Sequence, residues 1–218
     1  MSGIIFRQCQ KKDQNEIQNV CYQTGYMGED LTGKDLFNDQ RLFGYLFCLY
    51  YPRYEAEHGF VAVDTNNNNR IVGYILGSPD SKKQGKQFNR KMVWRIALRL
   101  YLFTRWKYPE SFRAVQSFRK IASQENEPGN LYEKYPAHLH IDILPEYQRK
   151  GIGSRLMQVF EQHMRDLGVP GIHLGTSNHN TKALPFYKKQ GYQIISEKES
   201  TFWPDVKNYK ALIFAKKL

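Results

Sequence analysis

The sequence predicts a mixed α/β (α+β) protein, with a central sheet of about seven strands flanked by helices and interrupted by a helical insertion. Short runs rich in β-branched and aromatic residues recur along the chain and predict the strands. Segments with apolar residues at helical spacing lie between them. Residues 81–135 differ, because they contain long helical segments and no strand-like run. We therefore expect one domain over 1–218, with the insertion at about 81–135.

The predicted elements follow the order β-α-α-β-β, then the insertion, then β-α-β-α-β-β. Asp13 and Glu16 have the spacing of a capping box and predict the start of the first helix. The run Asn66–Asn69 predicts a hairpin turn. The predicted strands are 3–9, 60–64, 70–77, 137–144, 171–177, 193–200 and 209–216. The predicted helices are 14–23, 35–50, 86–103, 109–123, 154–167 and 182–190, and 124–130 is predicted to be a polar loop.

The net charge is strongly positive and concentrated in the insertion. The chain has 32 Lys plus Arg against 21 Asp plus Glu, a formal charge of +11. Residues 81–135 hold 13 of the basic and four of the acidic residues, so they carry +9. The insertion could be a helical cap with a solvated face, an amphipathic basic helix that contacts an acidic partner or an anionic membrane, or a nucleic-acid contact. No nucleic-acid-binding motif supports the last interpretation.

Cysteine usage and hydropathy indicate the cellular compartment of the protein. Cys9, Cys21 and Cys48 are odd in number and form no Cys-x-x-Cys pair, which favours a reducing compartment and disfavours a disulfide framework or structural zinc. The longest apolar run, 42–51, is too short to cross a bilayer, and the first residues do not resemble a signal peptide. We expect a cytoplasmic protein without a transmembrane segment.

A glycine turn lies between the predicted strand 137–144 and the helix that follows it. Glycines allow close approach of the backbone, successive N–H groups converge, and the start of a helix adds partial positive charge. These properties favour a phosphate or pyrophosphate ligand. The turn reads Gln148-Arg149-Lys150-Gly151-Ile152-Gly153.

A second block follows 27 residues after Gly153, with the pattern Asn180-x-x-Ala183-x-x-x-Tyr187-x-x-x-Gly191-Tyr192. With the glycine turn, it resembles the GNAT acetyltransferase superfamily, closely over about 137–195 and more loosely over 3–77. The segment 137–147 is most similar to acetyltransferase-like domains associated with O-GlcNAcases. The resemblance implies the GNAT fold, and direct transfer of an acetyl group from acetyl-CoA to a primary amine of a small molecule or peptide. The alternative is an inactive, coenzyme A-binding pseudo-acetyltransferase that acts in interaction or regulation.

The same resemblance implies the residues that contact coenzyme A. The strand would bind the pantetheine arm, the turn would bind the pyrophosphate, and Asn180 would contact the arm. The implied set is Ile141, Ile143, Leu144, Gln148, Arg149, Lys150, Gly151, Ile152, Gly153, Ser154, Asn180 and Phe186. Tyr187 is implied as the general acid that protonates the leaving thiolate. Pro185 fits a helix only near its start, so we expect this helix to begin near 182.

The general base is less directly implied, because Gly175 stands where several family members have a glutamate. Strand alternation places His138, His140 and Asp142 on one face of the strand. We expect Asp142 to be the base or to orient the amine, with His140 as the alternative. We expect no metal, since alternate strand residues lie about 7 Å apart and metal ligands must converge at about 2 Å.

The acceptor pocket is expected from the loop 24–34, the second helix and the loop 200–208. Residues that could hold a cationic amine there are Tyr26, Glu29, Asp30 and Trp203. His179, next to Asn180, is a further but weaker site candidate.

Overall fold

The computed structural model describes residues 3–122, 129–201, 203 and 205–218, with no description of the side chains of 120–122. Seven strands form one sheet in the order β1-β2-β3-β4-β5-β7-β6, which confirms the predicted mixed α/β class. The strands are β1 (Ile4–Gln8), β2 (Phe60–Asp64), β3 (Arg70–Ser78), β4 (Ala137–Ile143), β5 (Gly171–Ser177), β6 (Gln193–Glu199) and β7 (Lys210–Lys217). Most of the loop predicted at 124–130 lies outside the described residues.

Helices cover both faces of the sheet. They are α1 (Gln14–Gln23), α2 (Gln40–Phe47), α3 (Tyr51–Tyr54), α4 (Ser81–Arg99), α5 (Arg105–Lys107), α6 (Pro109–Ala122), α7 (Leu131–Lys134), α8 (Ile152–Asp166) and α9 (Ala183–Lys189). The core contains fully buried residues of both helix layers and the sheet, among them Ile17 of α1, Tyr74 of β3 and Phe160 of α8. Burial of such large apolar surfaces is the main stabilising contribution to the fold.

The central feature of the sheet is the short contact between β4 and β5. These neighbours are parallel and pair only at Ala137–Ile172 and His138–His173. The other neighbouring strands are antiparallel. Beyond His138 the two strands separate, so the backbone groups on the facing edges have no strand partner. The sheet is therefore open at its centre.

The predicted capping box at Asp13 and Glu16 is wrong. The Asp13 carboxylate makes no cap for α1 and instead accepts two hydrogen bonds from Arg7, at 2.6 and 2.9 Å. Glu16 accepts a hydrogen bond from the backbone N–H of Ile71, at 2.6 Å. Asp13 therefore pairs with residues before the helix, including the Gln10 N–H at 2.8 Å, and Glu16 pairs with a strand distant in sequence.

The second helix is shorter than the predicted range 35–50. It begins at Gln40, because the carboxylate of Asp39 caps it by accepting the Leu42 N–H at 3.0 Å. It ends at Phe47, and a separate short helix, α3, contains Pro52 in its first turn. Proline has no N–H to donate, which suits it to a helix start but not to a helix interior.

The insertion begins with one continuous helical run over 81–107. It consists of α4, a π-helical turn at Leu100–Thr104, and α5. Asp80 caps it by accepting the Lys83 N–H at 2.9 Å, so the helix starts five residues before the predicted Lys86. Among the described residues, no helix has the length and apolar character needed to cross a membrane.

Candidate functional site

A cavity of about 560 Å³ lies where β4 and β5 separate. Its walls come from both strands, from α1 and α2, and from the residues around Trp203. Residues 138–142 of β4 and 173–177 of β5 line it, together with Asn180 and Tyr187. The strand that the resemblance assigns to the pantetheine arm therefore lines this cavity along residues 138–142.

The glycine turn at the start of α8 presents unpaired backbone donors. Arg149 and Gly151 both have left-handed backbone conformations, with φ of +58° and +80°. The N–H groups of residues 149–154 donate to no acceptor in the part of the chain that the structure describes. Successive N–H groups at a helix start form an anion-binding concavity. The geometry of the turn therefore suits a pyrophosphate group, and binding of that group there stays a prediction.

Close packing holds this turn against the sheet. The Gln148 side chain donates to the Ile143 carbonyl at 3.0 Å, which connects the turn to the end of β4. A Cβ at Gly153 would lie 3.1 Å from Ile143 Cδ1 and 3.1 Å from Phe186 Cζ, so the absence of a side chain allows α8 to approach. The Ser154 hydroxyl accepts a hydrogen bond from Gln190 at 3.0 Å.

The backbone of β4 offers further donors to the opening. The Leu144 N–H donates to Val72 of β3 at 2.9 Å. Since N–H directions alternate along a strand, those of Ile141 and Ile143 point the other way, toward β5 and the opening. Both backbone groups of Leu144 are bonded within the protein, because its carbonyl accepts the Tyr147 N–H at 2.9 Å. Ile141 and Ile143 are therefore better placed than Leu144 for backbone contact with a ligand.

Asp142 lies at the centre of a hydrogen-bonded cluster in the cavity. Its Oδ2 accepts a 2.5 Å hydrogen bond from the Tyr74 hydroxyl and lies 3.2 Å from Nε2 of His140. Burial raises the pKa of Asp142, and the charge of His140 together with hydrogen bonds from Tyr74 and Thr24 partly offsets that rise. Because its pKa is raised, the Asp142 carboxylate is a better proton acceptor than an ordinary aspartate.

The expected separation of about 7 Å between alternate side chains of a strand is wrong for His140 and Asp142. Their side chains point toward each other, so that Nε2 of His140 lies 3.2 Å from Oδ2 of Asp142. Ligand atoms of Cys21, His140 and Asp142 lie within 4.8 Å of one another, because α1 brings Cys21 above β4. The Asp142 oxygen in this cluster already has protein partners. The prediction of no metal stays a prediction.

Tyr187 lines the same cavity from α9. Its ring is buried and packs against Phe186 and Phe214, with ring centroids 5.6 Å away in each case. Burial and the negative charge of Asp142 raise its pKa, so its hydroxyl stays protonated at neutral pH. Pro185 lies in the first turn of α9, where its missing N–H has no intrahelical partner to lose, as expected.

Of the residues predicted to hold the acceptor amine, Trp203 lines the cavity and the other three do not. Trp203 is buried and lines the cavity. Tyr26 packs on Trp203 but donates its hydroxyl to Asp205 at 2.5 Å. Glu29 and Asp30 are exposed and do not line the cavity. His179 also lies outside it, where it hydrogen-bonds to the Lys207 carbonyl at 3.1 Å.

Sequence reasoning missed several residues in or next to the cavity. Tyr74 is fully buried and does not line the cavity, but it lies directly across from Asp142 in the β3–β4 register, and strand alternation from a known pairing would have identified it. Phe43 and Phe47 of α2 provide an aromatic wall. Cys21 and Thr24 reach the cavity from the end of α1, and no motif marked them.

Comparison with known proteins finds a family match for part of the chain. Residues 117–192 match the model of the acetyltransferase (GNAT) family. In sequence, the chain is 41% identical over 59 residues to the uncharacterised N-acetyltransferase YjcF of Bacillus subtilis, covering 27% of this chain and 40% of YjcF. It is 36% identical over 83 residues to the S-alkylcysteine N-acetyltransferase of the same organism, covering 37% and 47%. The matches thus span less than half the length of these two relatives.

The fold has a solved counterpart of nearly the same extent. The crystal structure of SsHAT superposes with a TM-score of 0.77 at 24% identity, over 99% of this chain and 98% of that one. Residues 117–192 thus match the GNAT acetyltransferase family that the motifs predicted, and the chain has the fold of this family. The acetyl donor of this family is acetyl-CoA. The similarity to domains associated with O-GlcNAcases stays a prediction.

Proposed function

We propose that this chain is an acetyl-CoA-dependent N-acetyltransferase that transfers the acetyl group directly to a primary amine. The observation that carries the proposal is the opening between β4 and β5. It places the unpaired N–H groups of 149–154 at one end and the side chains of Asp142 and Tyr187 in the adjoining cavity. Bound acetyl-CoA would supply the thioester.

Each step has a group of this chain in a suitable position. The N–H groups of 149–154 bind the pyrophosphate, with Arg149 and Lys150 adding positive charge. The N–H groups of Ile141 and Ile143 bind the pantetheine arm and stabilise the oxyanion as the amine nitrogen attacks the thioester carbon. Asp142 accepts the proton that the amine loses. Tyr187 donates a proton to the sulfur as the C–S bond breaks.

The wall of the cavity indicates the kind of amine. Asp142 is the one carboxylate among the described residues that line it, and Phe43, Phe47, Trp203 and Tyr209 are aromatic. A single carboxylate can orient one ammonium group, and the aromatic wall favours an apolar body. We therefore expect monoamines on an apolar or aromatic body to be better acceptors than polyamines. The three buried, unpaired cysteines support a reducing compartment, and the proposal places the protein in the cytoplasm.

Thiol release from acetyl-CoA tests the proposal over a panel of aromatic monoamines, polyamines, amino acids and short peptides. We expect release above the acceptor-free rate for at least one amine, with the product acetylated on nitrogen. Replacing the base, Asp142→Asn, should lower kcat by about 10²- to 10⁴-fold. Coenzyme A binding by calorimetry serves as the control for folding. Tight coenzyme A binding without turnover of any acceptor would instead support the inactive, regulatory alternative.

A further inference from the structure

The outer side of the helical run 81–107 exposes an unusual number of large apolar side chains. Elsewhere the described exposed side chains of this type are Ile5, Leu167, Ile194 and Ile195. Contiguous exposed apolar patches mark binding surfaces, whereas scattered ones do not. We call the set on this run, with its flanking cations, the aromatic-basic face. Its apolar members are Val93, Trp94, Leu98, Tyr101, Leu102, Phe103 and Trp106.

The π-helical turn should bring the most exposed of these residues closer to one line than an uninterrupted α-helix would. Trp94, Leu98, Leu102 and Trp106 recur every four residues and are 52%, 53%, 69% and 76% exposed. In a pure α-helix each four-residue step overshoots a full turn by about 40°, so three steps would move Trp106 about 120° away from Trp94. The π turn at Leu100–Thr104 is wider than an α turn and offsets much of this drift.

The charged residues of the helical run 81–107 are all basic. Residues 81–107 contain nine Lys plus Arg and no Asp or Glu. Within the part of the chain that the structure describes, Arg99 is the one cation of this run in an ion pair. Arg95 lies over the Trp94 ring at 4.4 Å, and Arg105 lies over the Trp106 ring at 5.3 Å. Cations above interfacial aromatic rings keep their charge toward water or headgroups while the rings contact apolar material.

A shallow groove of about 260 Å³ lies within this face. Trp94, Leu98 and Leu102 form its apolar side, and Tyr45 of α2 forms the other side. Arg95 lies on the groove, and its Nε is buried without a hydrogen-bond partner among the described residues. An unsatisfied buried donor is costly, and an anionic group would satisfy it.

We propose that the aromatic-basic face docks this protein on an anionic membrane surface, with the helical run lying in the plane of the headgroups. A basic helix with Trp and Leu on its exposed side is the composition of interfacial helices. A second copy of the chain is a poor occupant, because it would bring a cationic face against a cationic face. Lipid accounts for both the protruding apolar side chains and the charge, whereas an acidic protein surface accounts only for the charge. The proposal is independent of the acetyl transfer.

Vesicle flotation of the full chain tests this docking. We expect binding to phosphatidylcholine vesicles that contain phosphatidylglycerol, little binding to phosphatidylcholine alone, and loss of binding at high salt. The double variant Trp94→Ser/Trp106→Ser should partition about tenfold more weakly or worse, because two apolar anchors are lost. Arg90→Glu/Lys107→Glu should weaken the preference for anionic vesicles, because it lowers the formal charge of the run from +9 to +5. Ile5→Ser/Leu167→Ser removes two apolar side chains that are each about half exposed elsewhere on the protein, and it should bind as the parent does.

Tryptophan emission distinguishes lipid from an acidic protein. The chain has three tryptophans, and Trp203→Phe leaves Trp94 and Trp106 as the reporters. We expect a blue shift on anionic vesicles and quenching by brominated lipid chains. Equal vesicle binding by Trp94→Ser/Trp106→Ser and the parent overturns the proposal. Tight binding to polyglutamate without a blue shift on vesicles also overturns it, in favour of an acidic protein partner. Circular dichroism checks that each variant is folded.

Discussion

The hydroxyl of Tyr74 donates a 2.5 Å hydrogen bond to Oδ2 of Asp142 across the β3–β4 pair. This bond stabilises the charged carboxylate and so lowers its pKa, while burial raises it. Tyr74 therefore helps to set the pH at which Asp142 can accept a proton, although it lies one strand away from the proposed thioester site. Its role is to position and adjust the proposed base.

Removing this hydroxyl should change the pH profile. In Tyr74→Phe the charged form of Asp142 loses a donor, so its pKa rises and the acidic limb of kcat/KM moves to higher pH. The measurement is kcat/KM against pH with one acceptor amine. Tyr50→Phe is the control, because Tyr50 is also buried but donates to Glu55 outside the cavity. An acidic limb that does not move in Tyr74→Phe would contradict the role of Asp142 as base.

Replacement of the proposed acid should affect the chemical step. Tyr187→Phe keeps the ring packing against Phe214 and removes the hydroxyl proposed to protonate the leaving thiolate. We expect kcat to fall about 10²- to 10⁴-fold, with unchanged affinity for coenzyme A. Tyr192→Phe, another buried tyrosine that does not line the cavity, should retain activity. Full turnover by Tyr187→Phe would remove it from the acid role.

The left-handed conformation of Gly151 can be tested against a second glycine of the same helix. Gly151 precedes α8 and Gly168 follows its last turn, with φ of +80° and +71°. Alanine at either position should lower the free energy of unfolding by about 1–2 kcal/mol through backbone strain. Only Gly151→Ala should also weaken coenzyme A binding, because it shifts the N–H groups of 149–154. Equal Kd values for the two variants would argue against the proposed pyrophosphate site.

Arg99 attaches the insertion to the body of the protein. Its guanidinium donates three hydrogen bonds of 2.7–3.0 Å to Asp39, which is almost fully buried and also accepts from the Thr104 hydroxyl. Arg99→Ala leaves the buried carboxylate without its countercharge and should lower the free energy of unfolding by about 3–5 kcal/mol. Chemical denaturation measures this change. Arg90→Ala, an exposed cation of the same helix, should change it by less than about 0.5 kcal/mol.

His138 should make the protein less stable in acid. Burial lowers its pKa from 6.5 to about 3, and it hydrogen-bonds to the hydroxyls of Tyr51 and Ser81, both at 2.7 Å. Between these two pKa values the unfolded chain binds a proton that the folded chain does not, so the free energy of unfolding falls as the pH falls below 6.5. From pH 7 to pH 5 the loss from this residue is about 2 kcal/mol.

The variant His138→Gln isolates this contribution. It should show a smaller loss of stability between pH 7 and pH 5 than the parent, since the titrating group is absent. His179→Gln, at an exposed loop position, is the matched control and should keep the parental slope. An identical slope in His138→Gln and the parent would show that His138 does not contribute.

Local patterns accounted for most of the secondary structure. Strand alternation placed His138, His140 and Asp142 on one face, and the glycine turn identified the start of α8. Predictions failed where a side chain took a partner other than the one its spacing suggested. Asp13 binds Arg7 and the Gln10 N–H rather than capping α1. Glu16 accepts from Ile71 of β3, and Asp39 caps α2, which begins five residues after the predicted start.

The sequence by itself determined the class of fold, the resemblance to the GNAT acetyltransferases and the position of the glycine turn, because each depends on spacing along neighbouring residues. Only the tertiary structure decided the surroundings of Asp142, the composition of the cavity wall and the π turn between Trp94 and Trp106. Tyr74 reaches Asp142 through strand pairing, and Trp203 reaches the cavity through a loop distant in sequence. Such contacts depend on the register of strands and on a π turn, and neither leaves a local pattern in the sequence.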